Sequence, residues 1–466
     1  MSLCFEELPG LINCHLHPVD LRGLIGPSLF DTRKLHPGEL FWALQGGQVD
    51  GHNYVFEAFN RGAQAAVVSE AWFQQRKPSL RHTPCVVVPD TLKALQNLAE
   101  AHRRRFQMPV LALTGSNGKT TTKELISAAL RSRYKIIRSP GNYNNHIGVP
   151  LSLLQIDPET ELVVIEMGTN QPGDIEQLCA ITQPDHGLVL NVGLSHLQGL
   201  RTVAGVAEEK EKLLKSLPVN GVAFINCDDP FVCQMDSGSA KRICFGFDSE
   251  TPGTRCDHTF TALNLGLNEQ GRGRFRLRDV TIEMNWYGIH QVRNGLAAAV
   301  VASYFEIPLE SIAEIFSAMS PIEGRLNVER MAGFTILNDS YNANPSSTAA
   351  ALDFLSALNV SGKRYALLGD NLELGEDSAK EHERIGKMIS SCQIDGVYLF
   401  GEEIQHAAVD NQSRILDRFS SNDDIEKISQ KIIKLLRPGD AILIKASRGM
   451  ELDRVIRYLR KHYNRD

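Results

Sequence analysis

The sequence lacks any long apolar run. Its longest mostly apolar stretch, Gly295 to Leu309, carries Ser303, Tyr304 and Glu306. That stretch fits a buried helix stopping before Pro308 and falls short of the roughly 18 uninterrupted apolar residues of a membrane span. The first basic residue is Arg22, so the charged start of a secretory signal is missing as well, and a cytoplasmic location is expected. Positive charge is not in excess: Lys plus Arg number 49 against 55 Asp plus Glu, a formal net charge of −6. This balance excludes the broad basic footprint of a nucleic-acid binder or an anionic-membrane binder, though not a local basic pocket. The nine cysteines (4, 14, 85, 179, 227, 233, 244, 256 and 392) form no C-x-x-C pair. In a chain of this length they read as reduced thiols, not as a disulfide frame or a zinc site. Long repeats and low-complexity tracts are also missing. What remains is 466 residues with 42% apolar and 22% charged side chains, ordinary globular composition with room for about three domains.

Several short β-rich runs are each followed by a turn and a helical pattern. They are Cys85–Pro89, Val110–Leu113, Leu162–Glu166, Gly187–Asn191, Val222–Asn226, Thr335–Asp339, Tyr365–Asp370, Val397–Gly401 and Ala441–Lys445. Apolar strands alternating with helices predict an α/β fold of parallel sheets covered on both faces. After Val110–Leu113 a helix is expected over about 119–133, with Leu125, Ile126, Ala129 and Leu130 at core spacing. Turn-rich sequence before Pro84 and a break near Ser320-Pro321 divide the chain into 1–84, 85–320 and 321–466. The stretch from Gly246 to Gly273, rich in Gly, Thr, Asp and Asn, reads as loops and short strands within the middle domain.

The sharpest local signal is TGSNGKTTT, Thr114 to Thr122, between an apolar strand and a helix. Gly115 and Gly118 let the backbone amides of the loop, including Ser116 and Asn117, turn toward a phosphate, and the helix adds its positive N-terminal end. Lys119 would reach the β- and γ-phosphates, Thr120 would supply a hydroxyl to Mg²⁺, and Thr121 would complete the ATP-binding loop. The general G-x-x-x-x-G-K-[ST] pattern asks for glycine at 113, where this chain has Leu113. Two other strand ends offer candidate metal ligands: Glu166 closes ELVVIE, and His196 follows the strand GLVLN. Ligands at the carboxyl ends of parallel strands would face the crevice that holds the phosphate loop.

These residues resemble the Mur ligase family of peptidoglycan synthesis. TGSNGKTTT looks like that family's shortened phosphate loop, which accounts for Leu113. The segments GNYNNHIGVPLSLL (141–154), EMG at Glu166, NVGLSHLQG (191–199) and GIHQVRNGLAAA (288–299) match in order and spacing. So do Gly324-Arg325, NDSYNANPSS (338–347) and KASRGMELD (445–453). Gln291 departs from the usual Asn, and GDNLELG (369–375) varies on a GDM-x-ELG pattern. DTRKLHPGELFWALQG (31–46), DGHNY (50–54) and NDSYNANP resemble the branch of the family that takes UDP-N-acetylmuramoyl-tripeptide and D-alanyl-D-alanine as partners.

The resemblance implies three domains: an amino-terminal one for the UDP part of the substrate, a central ATP-binding P-loop domain, and a Rossmann-like carboxyl-terminal domain for the incoming dipeptide. Thr32 and Arg33 become candidate diphosphate or uridine contacts, and Asn144, Asn145, Asn342 and Asn344 candidate substrate contacts. Asn342 and Asn344 can equally be turn-forming residues before Pro345. Asn294 resembles the family's adenine contact, while Arg325 and Asp339 resemble its phosphate and ribose contacts. The implied catalytic set is Lys119, Glu166, His196 and Lys210, with ATP and Mg²⁺ as cofactors and Thr120, Glu166, His196 and Lys210 around the metal. Lys210, in AGVAEEKEKLLK, reads alone as part of a solvated helix face. The family, however, carbamylates a lysine at this spacing from the histidine. Related alternatives are a folylpolyglutamate synthase and the ligase that adds the third peptide residue; the amino-terminal segments disfavour the first and NDSYNANP the second. A GTPase-type switch would show an NKxD motif, and none occurs. Nothing in the sequence demands an oligomer, so a monomer is expected.

Overall fold

The computed structural model describes residues 3–47, 49–80, 83–247 and 256–463. Three sheets follow one another along the chain. The first has five strands in the order His15–His17, Cys85–Val88, Ala65–Ser69, Leu40–Trp42, Ser28–Leu29, parallel except for the first. Cys85–Val88 therefore pairs inside the amino-terminal sheet, and the boundary expected between 84 and 85 cuts that sheet. Its CVVV sequence is buried along its whole length, so an apolar run alone could not say to which sheet it belonged. The helix Thr91–Arg103, whose Leu95, Leu98 and Ala99 are buried, then carries the chain onto the next domain.

The second sheet has nine strands. From one edge they run Ile136–Arg138, Leu162–Glu166, Val110–Thr114, His186–Val189, Val222–Asn226, Lys241–Phe247 and His258–Leu267, all parallel. The antiparallel strands Arg272–Leu277 and Val280–Tyr287 complete it. The stretch expected to be loops and short strands thus contains a ten-residue strand, His258–Leu267. Its outward positions carry the polar residues that suggested a loop. The exposed residues are His258, Thr259, Thr261, Leu263 and Asn264, without strict alternation. The second sheet is covered by the helices Lys119–Leu130 and Ile289–Tyr304, the latter burying Val292, Leu296 and Val300.

The third sheet begins at Asn327 and runs Asn327–Met331, Phe334–Asp339, Ala441–Lys445, Arg364–Gly369, Gly396–Phe400, Ile415–Phe419, parallel after its first hairpin. All nine strands read from the sequence are strands here. Separate cores cover the two faces of this sheet, one built on Leu352, Ile385 and Leu399 and the other on Ile428, Val455 and Leu459.

Cys244 and Cys256 form a disulfide, which corrects the expectation that every cysteine is a reduced thiol. The sequence offers only distant cysteines here; the parallel pairing of Lys241–Phe247 with His258–Leu267 is what brings the two together. No helix among the described residues is long and apolar enough to cross a membrane.

Candidate active site

Val110–Thr114 lies between Leu162–Glu166 and His186–Val189; the chain leaves it toward Ile136–Arg138 at one edge, but leaves the adjacent Leu162–Glu166 in the opposite direction, toward His186–Val189. A crevice opens at such a switch point, and the loop 115–118 crosses it into the helix Lys119–Leu130. Gly118 sits at φ +82°, and a Cβ there would come 2.2 Å from Asn294 Oδ1. Both the backbone angle and the close approach of Asn294 require glycine. At Gly115 a Cβ would meet Leu190 at 2.9 Å, so this glycine lets the loop pack on the neighbouring strand.

The resulting cleft, about 850 Å³, is lined by Ser116, Asn117, Gly118, Lys119, Thr120 and Thr121 from the loop and its helix. Asn144, Asn145, Glu166, His196 and Asn294 of the same domain line it too, as do Arg325, Asp339, Asn342 and Asn344 from beyond the second break. Gly115 backs the loop and does not line the cleft. Thr32 and Arg33 lie outside it, on the short turn Thr32–Lys34, where Arg33 is exposed and donates to Asp31 at 2.8 Å. The neighbouring Phe30 ring stands 6.2 Å from that of Tyr143, next to Asn144, so the amino-terminal segment reaches the cleft's edge.

Glu166 is the most enclosed carboxylate of the cleft, 1% exposed. Its Oε1 accepts from Thr120 Oγ1 at 3.1 Å and from Asn144 Nδ2 at 2.8 Å. Its Oε2 has no hydrogen bond, and the Lys123 ammonium lies 3.3 Å away. Lys123 is fully buried and donates to Gly141 O. Sequence reasoning missed it, although its place one turn after Lys119 was the available signal. Lys119 Nζ donates to Gly115 O at 2.6 Å. Burial holds its ammonium below the ordinary 10.5, against the pull of Glu166.

His196 adopts φ +55°, a left-handed conformation uncommon among residues other than glycine. Its Nδ1 lies 2.7 Å from Oε2 of Glu373, in the GDNLELG segment of the third domain. Glu373 is a site residue the sequence reading passed over; the acid inside a strand-end loop was its signal. The same domain sends Arg325 to Thr120, Nη2 to Oγ1 at 2.9 Å, with the guanidinium stacked 4.2 Å from the Tyr341 ring. Asn117 is bridged by Ser346 and by Asn344 Nδ2, at 2.9 and 2.7 Å. The turn-forming alternative describes Asn344 well: its Oδ1 caps the helix Pro345–Ala357 through Ser347 N. Asn145 likewise spends its Oδ1 on Ile147 N and Gly148 N. Asn342 Oδ1 accepts from Arg448 N.

Asp339 and Lys445 are paired strand ends, and Lys445 Nζ donates to Asp339 Oδ2 at 2.6 Å. Asn294 donates to Gln291 Oε1 at 3.0 Å, so the residue that departs from the family pattern orients the expected adenine contact. Lys210 does not line the cleft. It sits on Val203–Lys215 with 1% exposure, no ion pair reaches it among the described residues, and its pKa is driven well below 10.5 by burial first and Lys119 second. Its neighbour Glu209 is equally enclosed, accepting from Gly173 N and Ile175 N. The solvated-face reading of this helix does not hold.

The cleft offers hard oxygen donors, and the hydrogen-bond-free Glu166 Oε2 has room in its bonding for a cation. That donor chemistry fits Mg²⁺. A phosphate loop, an acid and a histidine at strand ends, and a third domain closing over them define the class: a P-loop nucleotide-binding protein with two domains contributing to one phosphate site. Three family models match, the Mur ligase family catalytic domain over 29–103, the Mur ligase middle domain over 113–302, and the Mur ligase glutamate ligase domain over 324–448. The chain is 34% identical over 435 residues, 92% of each protein, to UDP-N-acetylmuramoyl-tripeptide–D-alanyl-D-alanine ligase of Bacillus subtilis. It is 32% identical over 99% of each to the Escherichia coli protein of the same name. A crystal structure of MurF from Acinetobacter baumannii superposes with a TM-score of 0.83 at 27% identity over 98% of both chains. MurF ligase from Thermotoga maritima in complex with ADP gives 0.76 at 28% identity, covering 94% of this chain and 98% of that one. The chain belongs to the Mur ligase family, in the branch that these D-alanyl-D-alanine ligases represent.

Proposed function

We propose that this protein joins D-alanyl-D-alanine to UDP-N-acetylmuramoyl-tripeptide, consuming ATP through an acyl phosphate, in the assembly of peptidoglycan precursors. The observation that carries the reading is the contribution of two domains to one cleft: Arg325 on Thr120 and Glu373 on His196. Such an arrangement holds a nucleotide on the phosphate loop while the third domain presents an amine. A carboxylate is a poor acyl donor, because its charge repels nucleophiles and oxide leaves badly. Moving the γ-phosphoryl group onto it creates a leaving group, and the dipeptide amine then displaces phosphate through a tetrahedral intermediate. Phosphoryl transfer needs positioning and charge neutralisation more than covalent help from the protein.

Lys119 and Arg325 supply fixed positive charge beside the phosphate loop, and the amides of 115–118 orient the phosphates. Asn294 and Gln291 hold the base, and Asp339, itself held by Lys445, faces the ribose. Thr120, Glu166 and His196, with Lys210 as a carbamate, would hold Mg²⁺, which supplies charge to the oxygens of the transferring group. Two properties support the carbamate. An ammonium so enclosed is disfavoured, and the neutral amine is the form that adds CO₂ to become an anionic oxygen donor. Thr32 and Arg33 bind the UDP portion, Asn144 and Asn342 border the reacting peptide, and the protein works as a cytoplasmic monomer.

Phosphate release with ATP, UDP-N-acetylmuramoyl-tripeptide and D-alanyl-D-alanine, each omitted in turn, tests the proposal. Only the complete mixture should sustain turnover. Efficient ligation of a single diaminopimelate or glutamate in place of the dipeptide would overturn it.

A further inference from the structure

Away from the reacting groups, four of the nine cysteines meet at one corner of the middle domain. The sulfurs of Cys227, Cys244 and Cys256 lie within 4.8 Å of one another, and Cys233 shares a sulfhydryl hydrogen bond with Cys227. The backbone builds this corner independently of the disulfide. Cys227 follows Val222–Asn226 and donates its N–H to Phe245 O at 2.8 Å, beside Cys244. Cys233 lies on the short helix Pro230–Gln234 that turns back over the strand end. Cys256 is held by its neighbour Asp257, whose N–H donates to Arg242 O at 2.9 Å while its carboxylate accepts from Arg242 N.

We propose that Cys227, Cys233, Cys244 and Cys256 form a tetrathiolate site for a thiophilic divalent cation, Zn²⁺. The disulfide is the oxidised form of this corner. Reduction of Cys244–Cys256 by a dithiol or phosphine takes two electrons and two protons and yields two thiols. Four thiols then bind the cation and release four protons. Zinc–sulfur bonds of about 2.3 Å place tetrahedral thiolates roughly 3.8 Å apart. The Cys244 and Cys256 sulfurs, bonded to each other in the disulfide, must separate to that distance on reduction, and the Cys233 sulfur must close on the three that already lie within 4.8 Å of one another. Four sulfurs and no other donor type select zinc over magnesium or calcium.

Arg242 supplies the surrounding shell. Its guanidinium donates to Met235 O at 2.7 Å and to Cys233 O at 3.2 Å, and its Nε–H is buried without an acceptor among the described residues. A zinc tetrathiolate carries two negative charges, and a nearby guanidinium offsets one of them. A thiol–disulfide relay is the competing chemistry. Such a relay holds no metal, so zinc that survives a chelating resin separates the two. Asn226 and Asp228, on either side of Cys227, both line the nucleotide cleft, so the metal would brace its rim.

The test uses the full-length chain, reduced with a phosphine under nitrogen, incubated with ZnCl₂ and passed over a chelating resin. A single zinc per chain should survive the resin. Co²⁺ in its place should give the intense visible bands and sulfur-to-metal charge transfer of tetrahedral thiolate. Cys233→Ser should lose the metal, Cys233→His should keep it with shifted Co²⁺ bands, and Cys392→Ser should behave as wild type. Retained ligase turnover shows that each variant is folded. A reduced chain that comes off the resin without zinc overturns the proposal. So does iron in place of zinc, a Cys233→Ser variant that keeps the metal, or a disulfide that resists the phosphine.

Discussion

Replacing Lys123 by methionine isolates what the buried charge beside Glu166 contributes. The two groups are 0% and 1% exposed and 3.3 Å apart, so water cannot take over when one is removed. Breaking a buried pair by deleting one member costs about 3–5 kcal/mol, because the remaining charge is left uncompensated. Glu166 keeps its Thr120 and Asn144 bonds on Oε1 while Oε2 loses its ion-pair partner, with Lys119 still near enough to interact, which argues for the lower end, about 3 kcal/mol. Glu166→Gln leaves Lys123 with Gly141 O and with Glu124 at 3.5 Å, a milder loss of about 1–3 kcal/mol. The double variant removes both charges, so its loss should fall short of the sum by about 2 kcal/mol. Scanning calorimetry of the four proteins measures this directly. At roughly 2–4 °C per kcal/mol for a domain of this size, Lys123→Met should melt about 6–12 °C early. Losses that add to within about 0.5 kcal/mol would refute the reasoning, since independent sites behave that way.

Three further outcomes follow from the site. Lys119→Ala should lose on the order of 10²-fold or more in turnover with an unchanged circular dichroism spectrum, because a fixed charge beside a developing anion is gone. Lys210→Ala should be nearly inactive, and a short carboxylic acid in the buffer should restore part of the rate; an alanine variant as active as wild type would remove Lys210 from the site. The Glu373 carboxyl is held below its ordinary 4.5, first by its hydrogen bond with His196. A depressed carboxyl pKa stabilises above the ordinary value and loses that stabilisation as pH falls through the depressed one. The melting difference between wild type and Glu373→Gln should therefore be present above pH 4.5 and vanish in more acid buffer. It should be small throughout, since the side chain is 54% exposed and solvent screens the pair.

The phosphate loop was legible because its signal is local: an apolar strand, two glycines, a lysine and a helix occupy consecutive positions. The parallel strands were legible for a similar reason, since a strand buried on both faces is a short unbroken apolar run. Glu373 and Lys123 left only faint local marks, an acid in a strand-end loop and a lysine one turn after Lys119. Each owes its role to a partner far along the chain or to complete burial, and neither distance nor enclosure is written in neighbouring residues. Lys210 shows the same limit from the other side: among Glu and Lys neighbours it reads as solvated, yet the packing of Val203–Lys215 on the middle domain encloses it. The amino-terminal boundary failed at Cys85–Val88 because sequence locates a strand without naming its sheet. The cysteine corner was missed because its four members are spaced for a sheet crossover rather than for a compact knuckle.

The acyl phosphate is tested most directly by oxygen transfer. UDP-N-acetylmuramoyl-tripeptide labelled with ¹⁸O in its reacting carboxylate is ligated to D-alanyl-D-alanine with unlabelled ATP, and the released phosphate is weighed by mass spectrometry. If the γ-phosphoryl group is carried on the carboxylate before the amine attacks, each amide formed should release one phosphate bearing a single ¹⁸O. Phosphate free of label, with the heavy oxygen expelled on amide formation recovered in water, would contradict the account.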